Sequence, residues 1–440
     1  MDDTRIVLRG ARLLDGEHAA RDHVNIVIEG ERIASADEAP VAARPGDREI
    51  ELEGATVMPG MTQAHFHSHF GAFGDGVTAP ALGLEAAPPY LSMLAAHNAG
   101  TALRCGFTSA VGSSNAHAID VSLKEAILAG FVEGPRYLAG SRELVTTGEA
   151  SDYANNRNWF MELGCTGLTV ELDGADAWRK ATRVEAGRGA DVIKISASPG
   201  HGSVAARDVL YLTPDELEAC VDAAHKLGRR VRAHVASREG ILACAKAGVD
   251  ILDHADRLDD ACIDAILEAG CIVVPSMLWT QRFLDIAESW DHAERPLPIS
   301  EGFPEELSAT LARIRGVRED WEHTCRWMPE ANRAGVPFVV GDDYGTPIMP
   351  HGSYADELEL YVKQLGFDAL DVIRWATRNG ARLMQREDEL GTVAPGKLAD
   401  LIVVDGDPVA DITRLRPEHL QAVLKGGRFV EDRLPRRPEG

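Results

Sequence analysis

Short apolar runs rich in β-branched side chains recur along the chain, and several of them end on a histidine, a lysine or an aspartate. Val192-Ile193-Lys194-Ile195, Val231-Arg232-Ala233-His234, Ile251-Leu252-Asp253-His254 and Val339-Val340-Gly341-Asp342-Asp343 are the clearest. Stretches of helical period lie between them. Thr213-Pro214-Asp215-Glu216 has the form of a capping box with proline at the first helical position. Leu217, Cys220, Val221, Ala224 and Leu227 then recur at helical spacing, and Gly228 stops the helix before the next strand. Strands alternating with helices predict a parallel sheet. A barrel of eight such units needs roughly 250 residues, and residues 58–390 can hold it.

The two ends read differently. Ile6-Val7-Leu8-Arg9, Val24 to Ile28 and Ile50 to Leu52 are strand-like pieces between glycine and charged turns. Leu401 to Val404 and Ala422 to Val430 have the same character. Two segments, 69–97 and 279–335, exceed ordinary connections. The second carries Trp279, Trp290, Trp321 and Trp327. Loops of this length serve as lids or as contacts between subunits, and a homo-oligomer is expected.

Composition adds exclusions. The chain has 440 residues, with 69 acidic and 45 basic side chains and a formal charge of −24. Phosphate recognition needs a basic face, so neither nucleic acid nor an anionic membrane is expected as partner. Met1-Asp2-Asp3-Thr4-Arg5 does not open a signal sequence, and no run approaches the length of a membrane span. The seven cysteines, at 105, 165, 220, 244, 262, 271 and 325, are scattered singly without a Cys-x-x-Cys. That pattern suits buried thiols in a reducing cytoplasm.

The candidate chemistry lies at the strand ends. His65 and His67, in Gly60-Met61-Thr62-Gln63-Ala64-His65-Phe66-His67, are two apart and share one side of a strand. Lys194, His234, His254 and Asp343 follow, one per predicted strand. In a barrel these ends converge on one face. Lysine is a poor ligand when protonated, and Lys194 within Val-Ile-Lys-Ile is otherwise a costly buried charge.

The ordered set resembles the metal-dependent amidohydrolase superfamily, in its imidazolonepropionase-like and prolidase-like branch. Gly106-Phe107-Thr108-Ser109, Gly189 to Ile195, Gly345-Thr346-Pro347 before Pro350-His351-Gly352, and Gly391 to Leu401 carry the same likeness. The resemblance implies an α/β (β/α)8 TIM barrel over 58–390 and a small β-sandwich formed by 1–57 and 391–440. It implies two divalent metal ions, with zinc the default. His65 and His67 would hold the first, His234 and His254 the second. Lys194, as a CO2-derived carbamate, would bridge them. Asp343 would bind the first ion and handle the proton while a bridging hydroxide attacks an amide.

This chain departs from the family pattern at three places. Gln63 stands where relatives carry aspartate, Thr147-Gly148-Glu149-Ala150-Ser151 where many carry Gly-Gly-His-Gly, and Ala236 where dipeptidase-like members carry tyrosine or histidine. The last two positions grip substrate. Phe70, Phe73, Trp279 and Phe283 lie within reach of the barrel mouth, so hydrophobic or aromatic amides, including N-acyl amino acids, are expected over small polar dipeptides. Arg238 and His351 are candidates for a substrate carboxylate, and His69 adjoins the site in sequence. Two other classes stay open. A mononuclear deaminase or ring-opening aminohydrolase would carry Glu or Gln at Ser237 and lack Lys194. A non-catalytic scaffold would have lost metal ligands, and all six are present here.

Overall fold

The computed structural model describes residues 5–71, 86–147, 167–202, 209–291, 306–346 and 348–434. Phe73, Cys165, His292, Pro347 and residues 148–151 lie outside them.

The central strands are all parallel. Met61–Phe66, Phe107–Gly112 and Arg136–Leu138 make a three-stranded sheet. Thr169–Leu172, Gly140–Thr146, Val192–Ser196, Arg230–Val235, Ile251–His254 and Ile272–Val274 make a six-stranded one, in that order. The expected single barrel ladder is therefore divided into two sheets. One division falls at Ala139, between Arg136–Leu138 in the first sheet and Gly140–Thr146 in the second. There the backbones crowd so closely that a side chain on Gly140 would overlap the Ser113 carbonyl. On the other side, residues 337–344 make single links to both sheets. Val339 N donates to Val273 O at 3.0 Å, Ala64 N to Val340 O at 2.9 Å, and His67 N to Tyr344 O at 3.1 Å. Pro337, without an N–H, can only accept there.

The predicted helix is present as Pro214–Lys226, its capping box formed by Thr213 and Glu216, with Gly228 in the left-handed region just beyond it. Glu216 also accepts from Gly174 N, fixing the start of the neighbouring helix Ala175–Gly187. The long segment that begins at 279 supplies much of Met277–Ser289 and the 28-residue helix Leu307–Ala334.

Both chain ends enter one mixed, eight-stranded sheet. Its order is Arg428–Asp432, Leu420–Lys425, Leu401–Asp405, Ala55–Pro59, Ile6–Leu13, Arg21–Glu29, Arg32–Asp37, with Arg48–Glu51 also paired to Ile6–Leu13. The join is antiparallel, Leu401–Asp405 against Ala55–Pro59. Period-two alternation explains its burial on both faces. Leu401 and Val403 pack with Leu8, Ile26 and Val57, whereas Ile402 and Val404 pack into the core around the parallel strands. Among the described residues six cysteines are free; five are buried and Cys325 is half-buried. Among the described residues, no helix is long and apolar enough to cross a membrane.

Candidate metal centre

Asp343 is the hub. Its Oδ1 lies 2.8 Å from His65 Nε2 and 3.2 Å from His67 Nε2. Its Oδ2 lies 4.0 Å from His254 Nδ1. His254 Nε2 in turn lies 2.9 Å from His234 Nδ1. Donor atoms of His65, His254 and Asp343 all fall within 4.8 Å of one another. Five of the six strand-end residues are thus brought together. His254 and Asp343 have left-handed backbones, φ 69° and 45°. Such strain costs about 1–3 kcal/mol per residue and concentrates at functional sites.

Lys194 stands one step away. Its Nζ donates to Asp253 Oδ2 at 2.7 Å, and Asp253 Oδ1 lies 3.9 Å from His65 Nδ1. Arg232, fully buried, donates to both Asp253 oxygens, at 2.6 and 3.1 Å, and to the carbonyls of Ala64 and Gly112 at 2.9 and 3.0 Å. Burial would raise the Asp253 carboxyl, but Arg232 and Lys194 outweigh it and hold it well below the usual range.

The residues fit a divalent ion. His65 is buried, and although its Nε2 is close to Asp343 the pair lacks hydrogen-bond geometry, so both ring nitrogens are unpartnered among the described residues. Burial pulls His65 down to about 4. Burial and then the Lys194 charge pull His234 down to about 3. At neutral pH both imidazoles are therefore neutral, the form that binds metal. Outer contacts orient two rings: His67 Nδ1 lies 3.4 Å from Ser114 O, and His254 Nδ1 lies 2.9 Å from Ser276 Oγ. Gln63 accepts from His65 N at 3.2 Å, so the amide at this departure braces the histidine backbone.

The remaining candidates take varied positions. Trp279 lies 4.8 Å from the His201 ring and 5.3 Å from Phe283. Its helix starts on Asp342, whose carboxylate accepts from Leu278 N and Trp279 N at 2.6 and 3.2 Å. Phe70 stacks on His67 at 4.3 Å. His69 meets the Phe70 edge and accepts from Ala116 N, a layer behind. His351 spans from Tyr354 Oη to His67 O, at 2.9 and 3.1 Å, and so braces the His67 backbone. Arg238 is half-exposed and pairs with Asp259 and Glu239 at 2.5 and 2.7 Å, outside the cluster.

Two neighbours have no counterpart in the sequence reading. Asp253 is one. The other is His201, stacked on His254 at 3.8 Å with its Nε2 3.8 Å from Asp343 Oδ2. The available signal was Pro199-Gly200-His201-Gly202, a glycine-flanked histidine just after the lysine strand.

The sequence of residues 56–430 matches the model of the amidohydrolase family. The chain belongs to the amidohydrolase family. This amidohydrolase is 28% identical over 395 residues to ochratoxinase of Aspergillus niger, covering 85% of this chain and 75% of the other. It superposes on a Xaa-Pro dipeptidase solved with methionine in its active site, with TM-score 0.82, 28% identity, and coverage of 97% of this chain and 100% of that one. A prolidase complexed with N-methylphosphonate-L-proline gives TM-score 0.83 at 26% identity, covering 98% and 100%. The family fold is a TIM barrel with an additional domain, and the chain is a hydrolase of the amide and C–N bond class.

Proposed function

We propose that this amidohydrolase cleaves an amide bond in a small molecule carrying a hydrophobic or aromatic group, such as an N-acyl amino acid or an aryl amide. It does so on a (β/α)8 barrel with two divalent ions, zinc by default. The observation that carries the reading is the Asp343 carboxylate set between His65, His67 and His254. His65, His67 and Asp343 would hold one ion, His234 and His254 the other. Lys194 would join them as a carbamate once it leaves Asp253. When bound, such ions lower the pKa of water and polarise a carbonyl. Asp343 takes the proton of the attacking water and delivers it to the departing nitrogen, because an amine leaves only when protonated. Phe70, against His67, and Trp279 with Phe283 supply apolar walls, which reward burial at about 25 cal/mol per Å². The amide-cleaving names of the relatives, ochratoxinase and Xaa-Pro dipeptidase, support the same chemistry.

A single-ion version is favoured by one contact, the 2.7 Å pair of Lys194 Nζ with Asp253, which leaves Lys194 outside the set gathered on Asp343. Metal analysis separates the two: about two ions per chain against one. The function itself is tested by a panel of N-acyl amino acids, aryl amides and dipeptides with the zinc-loaded enzyme. A profile in which Gly- or Ser-containing dipeptides outrun every aryl amide refutes the substrate class, and no turnover on any amide refutes the reading.

A further inference from the structure

The turn Pro199-Gly200-His201-Gly202 is wedged between two walls. Gly200 has φ 121°, and a Cβ there would overlap the Ala236 Cβ. Gly202 has φ 87°, and a Cβ there would overlap the Trp279 ring. Arg313 Nε donates to the Gly202 carbonyl and fixes the turn from the far side. Only glycine suits both conformations, and only a side chain as small as alanine at 236 leaves room for the turn. The residue between the glycines is driven inward. His201 itself has φ 45°. Its side chain is 3% exposed. One face stacks on His254 at 3.8 Å and 11°, and Trp279 lies 4.8 Å from it.

Its ring edge is unsatisfied. Nδ1 lies 3.4 Å from Asp256 Oδ2 and Nε2 lies 3.8 Å from Asp343 Oδ2, yet neither contact is a hydrogen bond. Among the described residues, both nitrogens and Asp256 Oδ2 are buried without a hydrogen-bond partner. A buried polar group left so, on a strained backbone, marks a place where something else binds. The converging donor atoms belong to His65, His254 and Asp343. His201 reaches only Asp343, so it is placed to touch what lies against Asp343 and not to join the ligand set.

We propose that His201 is a further catalytic residue: oriented by Asp256, its Nε2–H donates to the carbonyl oxygen of the substrate amide beside Asp343. The proposal rests on the amide-hydrolase reading. Preorganised donors of this kind act on the charge that develops on oxygen during attack. Ala236, which lacks the gripping side chain of dipeptidase-like relatives, becomes the space that admits the replacement.

The test uses the zinc-loaded full chain with H201A, H201Q and D256N. Zinc content, kcat and KM on the best amide of the wild-type panel, and the calorimetric Kd of methylphosphonate are measured for each. H201A is expected to keep its zinc, to lose kcat by about 10²-fold with KM little changed, and to bind methylphosphonate about tenfold more weakly. H201Q, which restores an N–H donor, is expected to recover part of both, and D256N to fall between wild type and H201A. Loss of zinc in H201A and H201Q overturns the proposal in favour of a role in building the centre. A rise in KM at constant kcat overturns it in favour of ground-state binding alone. If wild type cleaves no amide, the function reading fails, and methylphosphonate still decides His201. Weaker binding by H201A supports the contact; equal Kd values, or no binding to wild type, overturn it.

Discussion

Replacing Arg232 by methionine tests how the centre is held. The guanidinium is completely buried and makes four hydrogen bonds, two to Asp253 and one each to the carbonyls of Ala64 and Gly112. These partners belong to three strands, and Ala64 immediately precedes His65. Methionine fills a similar volume and leaves Asp253 with Lys194 as its remaining cation. Removing one partner from a buried ion pair costs about 3–5 kcal/mol, and each orphaned carbonyl adds on the order of 1 kcal/mol. With an m value of about 4 kcal/mol per M for a chain of this length, the urea midpoint should fall by about 1.5 M. Near-ultraviolet circular dichroism against urea, on metal-free protein, reads this directly. Arg238→Met, which removes only half-exposed ion pairs, is the control and should leave the midpoint nearly unchanged. An Arg232→Met midpoint no lower than that of the control refutes the argument that this guanidinium pins the strands.

Further outcomes are expected. Lys194→Ala should abolish activity and lower metal content, with partial rescue by added short carboxylic acids; near-normal turnover without rescue would make Lys194 purely structural. Chelation should remove activity and zinc should restore it, with about two ions per chain by elemental analysis; one ion or none rejects the two-ion centre. Trp279→Ala should erode kcat/KM for aryl amides more than for small dipeptides, and equal losses would detach Trp279 from selectivity. Asp120 is buried, which pushes its carboxyl up to about 7 despite the Ser68 hydroxyl at 2.5 Å. A carboxyl with a raised folded-state pKa stabilises the fold at low pH and loses that contribution as pH rises from about 4 to about 7. The Tm difference, Asp120→Asn minus wild type, should therefore grow across that window, and a flat difference counts against the shift.

Five of the strand-end residues were legible because each closes an apolar run, so alternation and the converging ends of parallel strands already place them together; Lys194, inside its run, turns to Asp253 instead. Asp253 was not legible. Alternation puts it opposite His254, and only the left-handed turn at His254 lets both side chains point inward. His201 sits in a glycine turn with no periodic signal, and its position depends on Ala236 and Trp279, distant in sequence. Arg238 illustrates the converse: it follows His234 closely in sequence, yet its guanidinium turns to Asp259 and Glu239. The strands at both ends could be read from their patterning, but the 402–58 pairing could not, since alternation identifies faces and not neighbours. The break at Ala139 is likewise a matter of two backbones in close approach, which no single run records.

The seam between Leu401–Asp405 and Ala55–Pro59 has a consequence for the order of assembly. Ala55–Pro59 runs through Gly60, whose N–H donates to Asp400 O at 2.9 Å, straight into the strand that bears His65. The neighbour that clamps this entry is synthesised more than three hundred residues later. During translation the strand that bears His65 waits with one edge open until residues 340–344 emerge, and its entry at Gly60 waits longer still for Asp400. The first of the site histidines to be made are thus among the last to be locked in place, and an ion that needs both His65 and Asp343 would bind only after the later strands have docked.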